Sequence, residues 1–441
     1  GLLYFPDIFS AAAAISAMVD AGAEAAELMD RASLRSVESA PGTPDEVKTL
    51  PPDAAAILLE FQGNSKEEVE NKVSAFLSFR PSLQLLAEPQ FSFDPARQAV
   101  FWKIRKGLFP SVGALRSSGS TVILEDIAVP IPKLGAAIMD LHELFKKFGY
   151  DDAIIFGHAK DGNLHFVVTQ RFDTEDEINR YDRFIREVVE LVTKQYNGSL
   201  KAEHGTGRNM APFVETEWGP EIYSVMSRIK SVVDPLNLVN PGVIINSDHN
   251  AHIKDLKELP RVEEEVDKCM ECGFCEHKCP SRDLTLTPRT RIIVRRELYR
   301  LDQSGKKREY RELLGQYQYD GLETCAVDGM CATVCPVDIN TGSLVKRLRR
   351  ENHSKLSNSL ASFIARNFRA SESLVRFLLR SGKAINNITG PKTMFKLTSG
   401  IKRIIPSFPL WTAQISPSPS VESVRRRSGI PEGGEKVIYF P

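Results

Sequence analysis

The feature that most constrains this chain is the placement of its cysteines: all seven fall between positions 269 and 335 of 441 residues. They form two groups, Cys269-x2-Cys272-x2-Cys275-x3-Cys279-Pro280 and Cys325-x5-Cys331-x3-Cys335-Pro336. Thiolates spaced as in the first group wrap a cubane iron–sulfur cluster, and the last one, followed by proline, usually serves the other cluster of a pair. Gly273 gives the backbone room to approach the sulfides. Zinc sites also use Cys-x2-Cys pairs, but the trailing prolines on both groups favour clusters. The second group lacks one thiolate, because Asp328 stands three residues after Cys325. Either Asp328 supplies an oxygen ligand to a four-iron (4Fe-4S) cluster, which we favour, or the second cluster is a three-iron (3Fe-4S) form. Residues 262–345 are thus expected to be an all-α two-cluster domain, with helices over 289–302 and 308–317 between the groups. Cysteines confined to one metal module suit a reducing cytosol rather than a disulfide framework.

Upstream, residues 1–246 alternate between helix-period and strand-period apolar patterns. Positions 8–18 and the Ala-rich 22–29 read as helices, and 54–61 as a buried strand. Asn64-Ser65-Lys66-Glu67 supplies a cap for a helix over 68–79. Positions 121–129 read as a strand closed by Pro130, 134–148 as a helix, 152–156 and 163–169 as a strand pair, and 174–196 as a helix with an acidic first turn. Strands on one sheet with helices interposed imply an α+β fold, a ferredoxin-like α/β sandwich. Residues 247–261 read as a linker, 346–405 as basic amphipathic helices and 406–435 as a Ser/Pro-rich linker holding Arg425-Arg426-Arg427. Residues 436–441 read as the start of a truncated further domain.

Two glycine-bounded motifs in residues 1–246 carry chemistry. Gly157-His158-Ala159-Lys160-Asp161-Gly162-Asn163-Leu164-His165 is a turn between two strands with a histidine at each shoulder. Ala202-Glu203-His204-Gly205 adds a carboxylate and a third histidine. Two neutral imidazoles and one carboxylate form a common divalent-metal set with open positions for substrate. That makes His158, His165 and Glu203 candidate metal ligands and leaves His204 as a base near neutral pH. Any one of these histidines alone would more often be structural, and those at 142, 249, 252, 277 and 353 are read so. Arg105, in Trp102-Lys103-Ile104-Arg105, is a weaker candidate for clamping a substrate carboxylate.

With these motifs, Asp234-Pro235 and Asn240-Pro241-Gly242, the chain resembles the C-terminal half of the flavin-linked D-2-hydroxy-acid dehydrogenases of the vanillyl-alcohol oxidase type. Its cysteine region resembles the iron–sulfur module fused to long bacterial members, so the resemblance covers residues 1 to about 345. The resemblance implies FAD, held mostly by a preceding domain absent from this sequence, with Asn163, Glu203 and Asn240 on the cofactor side. It implies a divalent metal (Zn, Mn or Fe) on His158, His165 and Glu203, and the substrate carboxylate on Arg105. His204 would take the hydroxyl proton while the Cα hydrogen leaves as hydride to flavin N5. Electrons would then pass singly through the clusters to a quinone, cytochrome or other redox protein, not to NAD or oxygen. Leu124 stands where hydroxyglutarate-type members tend to place a lysine. D-lactate is therefore favoured, with D-2-hydroxyglutarate as the alternative. A reading from a different class is an electron-transfer or docking subunit without a catalytic site of its own.

Lys plus Arg equals Asp plus Glu at 57 each, so overall charge selects no partner. The distribution is uneven: from 346 to 405, fourteen lysines and arginines face only Glu351 and Glu372. That stretch suits a membrane surface, and no nucleic-acid partner is expected. No leader segment and no run of about 18 apolar residues occurs. The expected location is cytoplasmic, with contact through 346–405 on the inner face of a membrane as a variant. The sequence opens at Gly1 without Met and stops at Tyr439-Phe440-Pro441, just after a strand-like stretch, and is read as a fragment cut at both ends.

Overall fold

The computed structural model describes residues 1–39, 42–79, 83–117 and 119–415. Most of the expected second linker and the domain start at 436–441 lie outside them. Six strands, β1 (Leu2–Phe5), β2 (Ala25–Met29), β3 (Ala55–Glu60), β4 (Thr121–Ala128), β5 (Ile154–His158) and β6 (Asn163–Gln170), form one sheet. Its order is β1-β3-β2-β5-β6-β4, every neighbouring pair antiparallel. Side chains alternate across a strand, and here both faces are covered. Ala26, Leu28, Ile57, Ile127, Ile155, Leu164 and Phe166 meet helices Ile8–Ala13, Ile15–Asp20, Leu134–Phe148 and Glu175–Glu190. Met29, Leu58, Ile154, Phe156 and Val167 meet helices Arg31–Val37 and Pro95–Leu115. The α+β expectation therefore holds.

The Leu134–Phe148 helix shows why the first layer forms. Leu134, Ile138, Leu141, Phe145 and Phe148 recur at three- and four-residue steps and are buried, and Gly149 ends the helix in the left-handed region at φ 70°. Each such side chain contributes about 1.5–3 kcal/mol when fully buried. Leu141→Ala would open the layer at a cost of roughly 2–5 kcal/mol. The 22–29 stretch corrects the sequence reading: it holds no helix, and Ala25–Met29 within it is β2. Its alanines and Leu28 have high helix propensity, but pairing with β3 on one side and β5 on the other outweighs that preference.

Residues 1–348 form one compact unit that includes the cysteine module. There, helices Pro288–Gln303, Lys307–Tyr317 and Thr341–Glu351 enclose Val266, Ile292, Tyr317, Leu322, Ile339 and Leu344, with Cys269, Cys325 and Cys335 against them. The 247–261 stretch is anchored rather than free, since buried His252 gives Nε2 to Asp182 at 2.6 Å. The second unit begins at Arg349. Within it, helices Phe368–Thr389 and Thr393–Ile404 are clasped by Trp411, whose backbone N–H donates to Thr398 Oγ1 at 3.0 Å. Apolar side chains on its helices stay exposed, Leu356 at 81% and Ile404 at 84%. Among the described residues, no helix is long and apolar enough to cross a membrane.

Candidate metal site and cluster module

Strand register gathers the first site. His158 pairs with Glu27 across β5 and β2, while His165 lies between Phe156 and Asp126 across β5 and β4. The turn joining the histidines is a 3-10 turn, Ala159–Asp161, closed by Gly162 at φ 70°, where a Cβ would collide with the Val129 carbonyl. The loop after Leu200 brings in Glu203 and His204. Glu203 Oε1 lies 3.2 Å from His158 Nε2 and 2.9 Å from His165 Nε2. The ligand atoms of His158, His165 and Glu203 all fall within 4.8 Å of one another. A cavity of about 490 Å³ opens beside them, lined by His158, Asp161, Asn163, Lys201, Ala202 and Glu203.

Two buried carboxylates that sequence reasoning missed hold this set. Glu27 accepts from His158 Nδ1 at 2.6 Å and from Arg105 Nε at 2.7 Å. Burial alone would raise its carboxyl, but the His158 hydrogen bond and the Arg105 charge hold it below the usual value. The same bond raises His158. A carboxylate on the far nitrogen of a ligating imidazole fixes its tautomer and orientation. Asp126 Oδ2 accepts the backbone N–H groups of Ala202, Glu203 and His204 at 3.1, 2.9 and 2.8 Å, and Oδ1 accepts from Asn163 at 2.5 Å. Asp126, His165 and His204 form a second close donor set. Asp126 is already held by four hydrogen bonds, whereas among the described residues Glu203 Oε1 meets only histidines, which favours the Glu203 set.

His165 is buried, and burial pushes it down to about 4, so its imidazole is neutral near pH 7, the form that ligates a metal. This neutrality and the bridging position of Glu203 fit a divalent cation. His204 stacks on His165 at 5.1 Å between ring centroids and is half exposed toward the open side. Arg105 lies over the Phe156 ring at 4.4 Å, and its terminal nitrogens hydrogen-bond no described residue. Asn163 is buried with Oδ1 unpartnered. Asn240 lies on an exposed bend at φ 45°, and among the described residues no hydrogen bond joins it to the histidine group.

The two cysteine loops repeat one backbone path. Glu271 and Gly273 have φ of 61° and 85°, and Val327 and Gly329, two and four residues after Cys325, have 56° and 75°. Asp328 therefore occupies the place of Cys272, and both are exposed. A β-branched residue such as Val327 in the left-handed region is held there only by its surroundings. Burial pushes the Cys275 thiol up to about 12, with nearby Cys269 and Cys335 adding to it. Cys335 is therefore a neighbour of Cys275. Crowded, buried thiols that resist ionisation fit a cationic iron core, which would draw off their protons. Cys279 differs: burial raises it, but Ser281 and Arg291, whose Nη1 is 3.6 Å from its sulfur, bring it below the usual thiol value.

The fold is that of a two-part chain, a six-stranded α+β domain with a two-histidine, one-carboxylate donor set joined to a two-loop cysteine module. The chain belongs to the FAD linked oxidases: their C-terminal domain matches residues 1–244, and a 4Fe-4S dicluster domain matches residues 265–339. A putative mitochondrial D-lactate dehydrogenase of Schizosaccharomyces pombe is 28% identical over 225 residues, 49% of this chain and 41% of that protein. Glycolate oxidase subunit GlcD of Bacillus subtilis is 30% identical over 207 residues, 45% of this chain and 41% of that protein. A D-2-hydroxyglutarate dehydrogenase of Pseudomonas putida is 25% identical over 398 residues, 77% of this chain and 38% of that protein. The chain spans about two-fifths of the length of the curated relatives it matches.

Proposed function

We propose that the protein oxidises a D-2-hydroxy acid to the 2-oxo acid and sends the electrons out through its cysteine module. The observation that carries this is the convergence of Glu203 with His158 and His165 beside His204. A divalent cation held by the first three would acidify the substrate hydroxyl, and FAD would accept the hydride. His204 takes the hydroxyl proton, being close to the ligands but committed to no strong partner. The free edge of Arg105 takes the substrate carboxylate, while Glu27 fixes Arg105 and His158 in one arrangement. Glu203 and Asn163 line the cavity.

D-lactate is the preferred substrate in this reading, because half-buried Leu124 shares a strand face with Asp126 and offers nothing to a second carboxylate. The reading of D-2-hydroxyglutarate has one supporting observation: Lys201 lines the cavity, although buried Glu125 holds its Nζ at 2.7 Å. The acceptor is a quinone, cytochrome or other redox protein. The basic helices after Arg349, with their exposed apolar side chains, suit an anionic membrane surface. Cosedimentation with anionic but not neutral vesicles checks that contact.

The test uses the full-length protein with a dye acceptor. D-lactate should reduce the dye, L-lactate should not, and D-2-hydroxyglutarate should react more slowly. His204→Asn should lower kcat by roughly 10²–10⁴. Turnover unchanged by that substitution would support a docking subunit instead, and no reaction with any D-2-hydroxy acid would refute the proposal.

A further inference from the structure

The Pro95–Leu115 helix links the two halves. Arg105 lies within it, and Arg116 caps its far end, about 16 Å along the axis at 1.5 Å per residue. Arg116 is 7% exposed. Its guanidinium makes five hydrogen bonds, all to backbone carbonyls. Nε donates to Ser120 at 3.0 Å and Nη1 to Gly113 at 2.6 Å within the substrate domain. The other three cross to the first cysteine loop: Nη1 to Lys268 at 2.8 Å, and Nη2 to Asp267 at 3.3 Å and Cys269 at 3.1 Å. Beside them the Met270 thioether packs onto Gly113, in space that any Cβ there would occupy.

None of these five partners is a carboxylate. The Asp267 side chain is turned inward to the backbone N–H groups of Val262 and Glu263, at 2.9 and 3.1 Å. Arg296, the second arginine at this loop, donates to the Cys269 carbonyl at 2.9 Å but has Glu271 as counterion at 2.5 Å. Arg116 is therefore a buried charge that no carboxylate among the described residues pairs with, an arrangement that costs several kcal/mol unless something nearby balances it. A cluster on the thiolates of Cys269, Cys272, Cys275 and Cys335 is negative and becomes more so on reduction. Net charge and hydrogen bonding around the sulfurs are among the factors that set its potential.

We infer that Arg116 is a positioning residue for electron exit, docking the first cluster loop onto the substrate domain while its buried charge holds that cluster's reduction potential up. The inference rests on the proposal that these cysteines hold iron–sulfur clusters. The step concerned moves one electron onto the cluster from the reduced flavin that substrate oxidation supplies, with no bond made or broken.

The test is an anaerobic redox titration of full-length wild type, Arg116→Gln and Arg116→Lys, followed by electron paramagnetic resonance, with iron and sulfide counted first. Arg116→Gln should keep its iron, yet the equilibrium constant for reducing one cluster should fall at least tenfold, or ~59 mV for one electron. The other cluster should not move. Arg116→Lys keeps the charge but loses the fork, so it should retain most of the potential while amide exchange at residues 267–270 quickens. Arg116→Lys also serves if Arg116→Gln does not fold: a potential ~59 mV or more below that of the wild type, although the charge is kept, would overturn the inference. Intact clusters with unmoved potentials in both variants would overturn it too, and leave the proposed function standing. A wild type without iron and sulfide would overturn the reading beneath it as well.

Discussion

Replacing Asp126 by Asn removes one negative charge and almost nothing of the side chain's shape, which makes it a sharp probe of how the proposed metal site is held. In the wild type, burial alone would raise the Asp126 carboxyl, but the N–H groups of His204 and Glu203, with Asn163, bring it below the usual value, so it is charged at neutral pH. Hydrogen bonds to a charged group are worth about 1.5–3 kcal/mol and neutral ones about 0.5–1.5. With three backbone N–H groups on one oxygen, the charge is worth roughly 3 kcal/mol to the placement of this loop. The substituted amide has a further difficulty: its NH2 must face either those three donors or the Asn163 NH2. At about 1.4 kcal/mol per tenfold, the upper limit is a loss of roughly a hundredfold in metal affinity, because Glu203 is displaced from the histidines. Titration of the metal-depleted protein with Zn²⁺ or Mn²⁺ against a competing chelator reads this directly. An affinity within twofold of wild type, in a protein that melts at the same temperature, would refute the claim that Asp126 sets the loop.

Two further substitutions probe the same architecture. Because His158 is raised and Glu27 lowered by their bond, the metal-free pair stabilises the fold only where both are charged. The Glu27 part is present above the ordinary 4.5 and lost as pH falls through its lower folded value; the His158 part is present below 6.5 and lost as pH rises through its higher one. Thermal stability of the metal-free protein should therefore gain most from the pair between pH 4.5 and 6.5, and Glu27→Gln should abolish that gain. Metal binding has the opposite slope, since a cation must displace the His158 proton. Glu27→Gln should shift the pH midpoint of metal affinity downward and weaken affinity at high pH by about 10–100-fold. At the second cysteine loop, Asp328→Ala should convert about eight irons per chain to about seven, with a three-iron resonance when oxidised. That resonance in the wild type would show that Asp328 holds no iron.

Much of this was legible in the sequence because period-two alternation and short turns fix register locally. The β5–β6 turn places His158 and His165 on one sheet face with no help from distant residues, and the cysteine spacing marks both loops. Glu27 was missed for a physical reason: its stretch is rich in helix formers, and only the β2 pairings with β3 and β5 make it a strand. Read as a strand, it would have shown a lone carboxylate among apolar neighbours, which is the signal for a buried acid with a partner. Asp126 carried a similar signal, an acid inside the apolar run of β4, but its role depends on a loop more than seventy residues away. Arg116 gave none, since its partners are carbonyls that any sequence presents.

The central claim is that substrate oxidation in one half delivers electrons to the other. The most direct measurement mixes the full-length protein with D-lactate anaerobically, without any acceptor, and freezes samples for electron paramagnetic resonance over the first turnover. Signals of reduced iron–sulfur clusters that appear with D-lactate and not with L-lactate are the predicted result. Flavin that reduces while the clusters stay oxidised, or a cysteine module found to hold zinc, would contradict it.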